Sequence, residues 1–183
     1  SIRLSAFNTI SILTGTGYST AAFDNWGPLA LTIFFLIMFV GGCAGSTTCG
    51  IKIFRFQILY ETATAQIRRL VQPHGVFIPY YNRSPITDEV TMSVMSFFFF
   101  YVLVFVVLAL GLSALGLDFL SAMSGAATAI SNVGPGLGPV IGPSGTFASL
   151  PDAAKWLLSA GMLLGRLELF TILVLFAPAF WKP

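Results

Sequence analysis

FLSAMSGAATAISNVGPGLGP, residues 119–139, opens as a short, mildly apolar helical pattern and closes as backbone rich in glycine and proline. A helix over Phe119 to Ile130 rises about 1.5 Å per residue and falls well short of the roughly 30 Å hydrocarbon core of a bilayer. It enters and does not cross. A second stretch has the same form: Leu4 to Leu13 reads as a short helix and is followed by TGTGYST, residues 14–20. Aligned on Gly17 and Gly134, Leu13 falls with Ile130, Ser11 with Thr128, Thr16 with Val133 and Gly15 with Asn132. Each stretch leads into a long apolar run, so the pattern predicts a duplicated helix, pore-loop, helix unit.

Composition supports a membrane setting. Of 183 residues, 56% are hydrophobic and 9% charged, against roughly 25% charged in soluble domains. The apolar runs are Leu29 to Val40, Phe97 to Leu112 and Trp156 to Phe180, the last interrupted only by Arg166 and Glu168. With their flanks, each is expected to span a bilayer. The link between the first two holds Lys52, Arg55, Arg68, Arg69 and Arg83, and Lys182 follows the third. The opposite side holds Arg3 and Lys155 among Asp24, Asp118 and Asp152. The positive-inside rule therefore puts the link inside and the two short helices outside. Trp26, Trp156 and Trp181 stand near run ends, where amphipathic rings favour headgroups. The chain opens at Ser1 with no cleavable signal pattern, and the absence of an initiator Met gives the expectation of a fragment.

Irregular backbone at membrane depth persists only where protein buries it or water hydrates it. The segments after the short helices are thus expected to line a pore, with glycines turning carbonyl oxygens toward a cation in place of its hydration shell. Gly15, Thr16, Gly17 and Tyr18 form one such wall and Asn132, Val133, Gly134 and Pro135 another. The plainer alternative is a pair of external loops with glycine turns.

The first apolar run is broken by VGGCAGSTTCG, residues 40–50, whose four glycines each cost roughly 1 kcal/mol relative to alanine in a helix. By helical rise, Gly41 and Arg166 lie at similar depth, roughly 20 Å below Pro28 and Pro151 respectively. The broken segment and the arginine are therefore expected to meet. An intramembrane arginine costs on the order of 3 kcal/mol unless it finds acceptors, and a broken helix offers free carbonyls. Glu168, two positions on, projects to a different face.

Four segments, TGTGYST (14–20), FVGGCAGSTTCGIKIFR (39–55), ATAISNVGPGLGPVIGP (127–143) and GMLLGRLELFTILVLFAPAFWK (161–182), together resemble the Trk/Ktr/HKT superfamily of potassium transporters, in its TrkH-like branch. The resemblance covers almost the whole chain. It implies an all-α membrane fold of helix, pore-loop, helix repeats, with one span broken by a Gly-rich intramembrane loop. Residues 1–56 would be the pore helix, filter strand and broken second helix of a third repeat, 57–89 a cytoplasmic link, and 90–183 a complete fourth repeat. The first two repeats of the same polypeptide would supply the remaining filter walls. It further implies potassium as the transported ion, bound at the filter residues above, and no organic cofactor. Gly41, Gly42, Gly45, Ser46, Thr47, Thr48 and Gly50 would form a gate that Arg166 holds; a purely structural brace is the alternative. Implied partners are a second copy in a homodimer, a cytosolic nucleotide-binding TrkA-like regulatory subunit facing the internal link, and the lipid bilayer, with multi-pass placement in a bacterial inner membrane.

Other motifs carry little. Gly45 and Gly50 have phosphate-loop spacing, but Ile51 separates Gly50 from Lys52. GLGPVIG, residues 136–142, misses the dinucleotide fingerprint by one position. Asn82-Arg83-Ser84 has the form of a glycosylation acceptor on the internal side. Cys43 and Cys49 lack zinc-type spacing and read as packing residues, and His74, the single histidine, as a surface or packing residue. The net charge of +2 is too small and too scattered for a nucleic-acid surface. An intramembrane hydrolase would need a catalytic pair that Ser46 lacks. A non-transporting scaffold is a further alternative.

Overall fold

In the computed structural model, residues 2–167, Val174 and Trp181 are described. Glu168 and Lys182, and most of the apolar run after Leu167, lie outside the described residues. The elements are α1 (Ile2–Leu13), α2 (Pro28–Ile37), α3 (Ile53–Val71), β1 (Tyr80–Tyr81), β2 (Ser84–Pro85), α4 (Asp88–Ala114), α5 (Phe119–Ser131) and α6 (Asp152–Arg166).

α5 is the buried axis of the second half, packed between α4 and α6. Its sequence explains this: Ala122, Gly125, Ala126, Ala127 and Ala129 let neighbouring helices approach closely, as small residues do in membrane helix packing. A Cβ on Gly125 would meet Leu112 at 3.4 Å and Leu158 at 3.8 Å, and one on Gly165 would overlap the Ile130 carbonyl. α5 starts on Asp118, whose carboxylate accepts from the Ser121 amide at 3.2 Å as an N-cap. The Ser121 side chain, then its amide, hold the exposed Asp118 carboxyl below its ordinary value. A lowered carboxyl stabilises the fold fully above its unfolded value near 3.8 and loses that contribution as pH falls through the lower folded value. Asp118→Ala is expected to cost about 1 kcal/mol at neutral pH. Thermal unfolding in detergent at pH 7 and in strong acid checks this, and a deficit that persists unchanged in acid would exclude the cap as its source.

Two apolar clusters join the halves. One unites α4, α5 and α6 around Leu112, Ala126 and Ile130. The other unites Ile12, Phe23, Phe34 and Met38 with Ala127, Val133 and Leu137. Phe39 packs against both.

α4 is the one described helix long and apolar enough to cross a membrane. The first apolar run does not form a full span. α2 ends at Ile37 after 10 residues, about 15 Å of rise, because Gly41 and Gly42 follow and the chain leaves the helix at Val40. α3 then starts at Ile53 and runs through the boundary placed at residues 56 and 57. Its apolar and charged positions form an amphipathic rather than an all-apolar surface. The link of residues 57–89 also contains an unanticipated hairpin, β1–β2, whose turn residues Asn82 and Arg83 have φ of 48° and 65°. Such left-handed pairs match the twist of a two-residue hairpin. Trp26, Trp156 and Trp181 are all exposed.

Candidate functional site

The two glycine-containing segments fold alike and touch. Gly15 and Asn132 both take left-handed backbone, φ 70° and 51°, and Gly17 and Gly134 follow at 74° and 116°. The Thr16 amide donates to the Ser11 carbonyl at 3.0 Å, and the Val133 amide to the Thr128 carbonyl at 3.1 Å. These pairs are the ones the alignment matched. Side chains of the preceding helices complete each turn. The Ser11 hydroxyl donates to the Tyr18 carbonyl at 2.6 Å, and the Thr128 hydroxyl accepts from the Gly134 amide at 2.9 Å.

Further along, a second tie returns each segment to its helix. The Thr20 amide donates to Asn8 Oδ1 at 3.1 Å, and the Leu137 amide donates to Ser124 Oγ at 2.9 Å. Thr20 and Leu137 each stand three residues past the aligned glycine. Asn8 and Ser124 are both fully buried, and sequence reading passed over them. Their signal was a polar residue on a helix too apolar to need one.

A Cβ on Gly17 would lie 2.4 Å from the Val133 carbonyl oxygen, and one on Gly134 would lie 3.3 Å from the Gly17 Cα. The segments therefore meet backbone to backbone. The Tyr18 side chain is exposed, while its carbonyl is engaged by Ser11. Pro135 packs beside Gly17.

The Gly-rich segment lies directly against this junction: a Cβ on Gly15 would meet Thr48 Cγ2 at 3.4 Å and the Asn132 carbonyl at 3.7 Å. Its neck is stitched by backbone bonds. The Gly41 amide donates to Ile51 O at 2.9 Å, the Ile51 amide to Phe39 O at 2.9 Å and the Ile53 amide to Gly42 O at 3.2 Å. A Cβ on Gly41 would lie 2.4 Å from the Cys49 carbonyl, so glycine is what lets the two sides close. Within the loop, Ser46 and Thr48 pair through their hydroxyls. Gly45, φ 84°, turns the tip between Cys43 and Ser46.

Arg166 meets this loop from the end of α6. Its Nη1 donates to the Thr47 carbonyl at 2.8 Å and approaches Cys49 Sγ at 3.7 Å. Beside the contact is a cavity of about 250 Å³ lined by Thr47, Cys49, Lys52, Arg55, Tyr101 and Arg166 among others. No described carboxylate lines it. Arg55 stacks 3.8 Å over the Phe97 ring in a cation–π contact. In the sequence, Arg55 had entered the orientation count, and Lys52 that count and a rejected phosphate-loop pattern. The structure adds them to the wall of this cavity. The packing role expected of the cysteines does not hold for Cys43, which is exposed; Cys49 is half-buried, and both are free thiols. His74 is exposed in the link.

Matched glycine turns packed against a broken helix, with three cationic side chains on the adjoining cavity wall, are the arrangement that the comparisons assign to a family of cation transport proteins. Residues 1–182 match the TrkH family model, described as a cation transport protein, and the chain belongs to that family. It is 56% identical over 176 residues to the Trk system potassium uptake protein TrkI of Halomonas elongata, covering 96% of this chain and 36% of that protein. It is 39% identical over 182 residues to the potassium uptake protein TrkH of Escherichia coli, covering 99% of this chain and 37% of that one. The crystal structure of the potassium transporter TrkH from Vibrio parahaemolyticus superposes with a TM-score of 0.88 at 41% identity, covering 98% of this chain and 38% of that one. The chain thus spans a little over a third of the relatives it matches. The family and these relatives are membrane transporters, not enzymes.

Proposed function

We propose that this chain is the carboxy-terminal part of a potassium-uptake protein of a bacterial inner membrane, and that it contributes two walls of a carbonyl filter and the gate beneath them. Residues 15–18 and 132–135 form the walls. Residues 41–50, with Arg166, form the gate. The first two repeats of the same polypeptide supply the other walls, and potassium is the cargo, with no organic cofactor. A homodimer and a cytosolic nucleotide-binding regulatory subunit complete the working assembly, the latter facing the link of residues 57–89.

The observation that carries this reading is a continuous chain of contacts from one glycine turn to Arg166. Two matched left-handed turns touch at Gly17 and Gly134, Thr48 lies against Gly15, and Arg166 clasps Thr47. Carbonyls above can replace an ion's water. Cations below oppose its exit, since a unit charge at about 8 Å and an effective dielectric of about 20 raises the energy of a monovalent cation by about 2 kcal/mol. A loop that removes or shifts that field switches conduction.

The test is rubidium uptake into vesicles holding the full-length parent protein. Uptake above that of empty vesicles, suppressed more by excess potassium than by excess sodium, is the expected result. Uptake equal to that of empty vesicles would sink the reading.

A further inference from the structure

We propose that Tyr101, on α4, is a positioning residue for ion selection: its hydroxyl fixes the second filter wall from behind through Ser131. The inference rests on the filter reading above and adds a residue outside both filter segments and the gate.

Ser131 is the last residue of α5 and Asn132 the first of the wall. The Tyr101 hydroxyl and Ser131 Oγ are 2.7 Å apart in a fully buried pair. Asn132, held in left-handed backbone, donates from Nδ2 to the Met162 carbonyl of α6 at 2.9 Å. The turn that launches the wall is therefore held by α4 on one side and α6 on the other. Nothing in the apolar packing of α4 calls for a phenol here, because a buried hydroxyl is tolerated only with a partner.

The ring itself has little freedom. Phe97 lies 5.8 Å away by ring centroids and Phe39 packs edge-on at 6.4 Å, and Tyr101 is 3% exposed. Aromatic contacts on two sides present the hydroxyl at one place, which suits a group whose task is to hold a backbone turn. Tyr101 lines the cavity beside Thr47 and Arg166, but its one described hydrogen bond runs to Ser131 and not to either of them. Its loss is thus expected to alter which ion passes, while the loop still controls how much passes.

Tyr101→Phe removes the hydroxyl and keeps the ring; Ser131→Ala removes the partner. In the full-length protein, each is expected to lower the ratio of potassium to sodium competition against rubidium uptake by about threefold to tenfold, in line with one buried hydrogen bond. The double variant is expected to fall no further than either single one, because both delete the same bond. Ser131→Thr, which keeps a hydroxyl, should retain most of the preference. A merely structural phenol would change the amount of inserted protein and leave the ratio alone. If Tyr101→Phe fails to insert, Ser131→Ala, the smaller change, decides the matter.

Gly17→Ser and Gly134→Ser are run alongside. A ratio unchanged in Tyr101→Phe and Ser131→Ala, but lowered in the glycine variants, overturns the role of Tyr101 and leaves the filter reading standing. A ratio unchanged in all four overturns the filter reading and this inference with it.

Discussion

Serine at position 17 is expected to reduce the preference for potassium over sodium by tenfold or more in the full-length protein, and serine at position 134 to do so as strongly. Two costs combine at Gly17. Its φ of 74° is left-handed, which a side chain resists by roughly 1–2 kcal/mol. Its Cβ would also lie 2.4 Å from the Val133 oxygen, a distance that backbone on both walls must open. Relief moves the Val133 carbonyl, and a filter discriminates by the number and spacing of its carbonyls. At Gly134 the clash is milder, 3.3 Å to the Gly17 Cα, but φ is 116°, a conformation open almost solely to glycine. The measurement is rubidium uptake into vesicles under excess potassium or excess sodium, at matched levels of inserted protein. Unchanged discrimination would mean that both segments are external turns.

Arg166→Ala is expected to raise flux, by about tenfold, without altering that discrimination. The guanidinium donates to the Thr47 carbonyl, and a hydrogen bond from a charged donor is worth about 1.5–3 kcal/mol. Removing it shifts the loop toward release. It also removes one of three cationic side chains on the cavity wall, lowering the barrier to a permeating cation. Lys at this position restores charge without the planar fork, so Arg166→Lys should give an intermediate flux. Unchanged or abolished flux in Arg166→Ala would assign the contact a structural role alone.

Local pattern made part of this architecture legible. The short helices end within a residue or two of where periodicity stops, because glycine and asparagine take the left-handed turns there. Equal depth along two runs brought Arg166 and the Gly-rich segment together on paper, and they are bonded in the structure. Less legible were contacts that join distant segments through single side chains. Tyr101 reads as one more aromatic in FFFFYVLVF, residues 97–105, and only the fold sets it against Ser131. Asn8 and Ser124 look like ordinary polar interruptions until the chain turns back over them. The start of α3 was equally hidden. After a glycine-rich break, nothing local says that the helix resumes at Ile53 and passes through the link. Cys43 read as a packing residue because an apolar run surrounds it, yet the loop leaves it exposed.

The stitched neck of the Gly-rich loop has a mechanical consequence. With Gly41 bonded to Ile51 and Ile51 to Phe39, the ends of α2 and α3 are pinned together whatever the loop tip does. A tip that swings on such a hinge leaves the outer circumference of the protein in the bilayer unchanged. Opening of this kind is therefore expected to proceed alike in thin and thick membranes, unlike channels that open by spreading their helices; a strong dependence of rubidium flux on acyl-chain length would argue for helix movement instead.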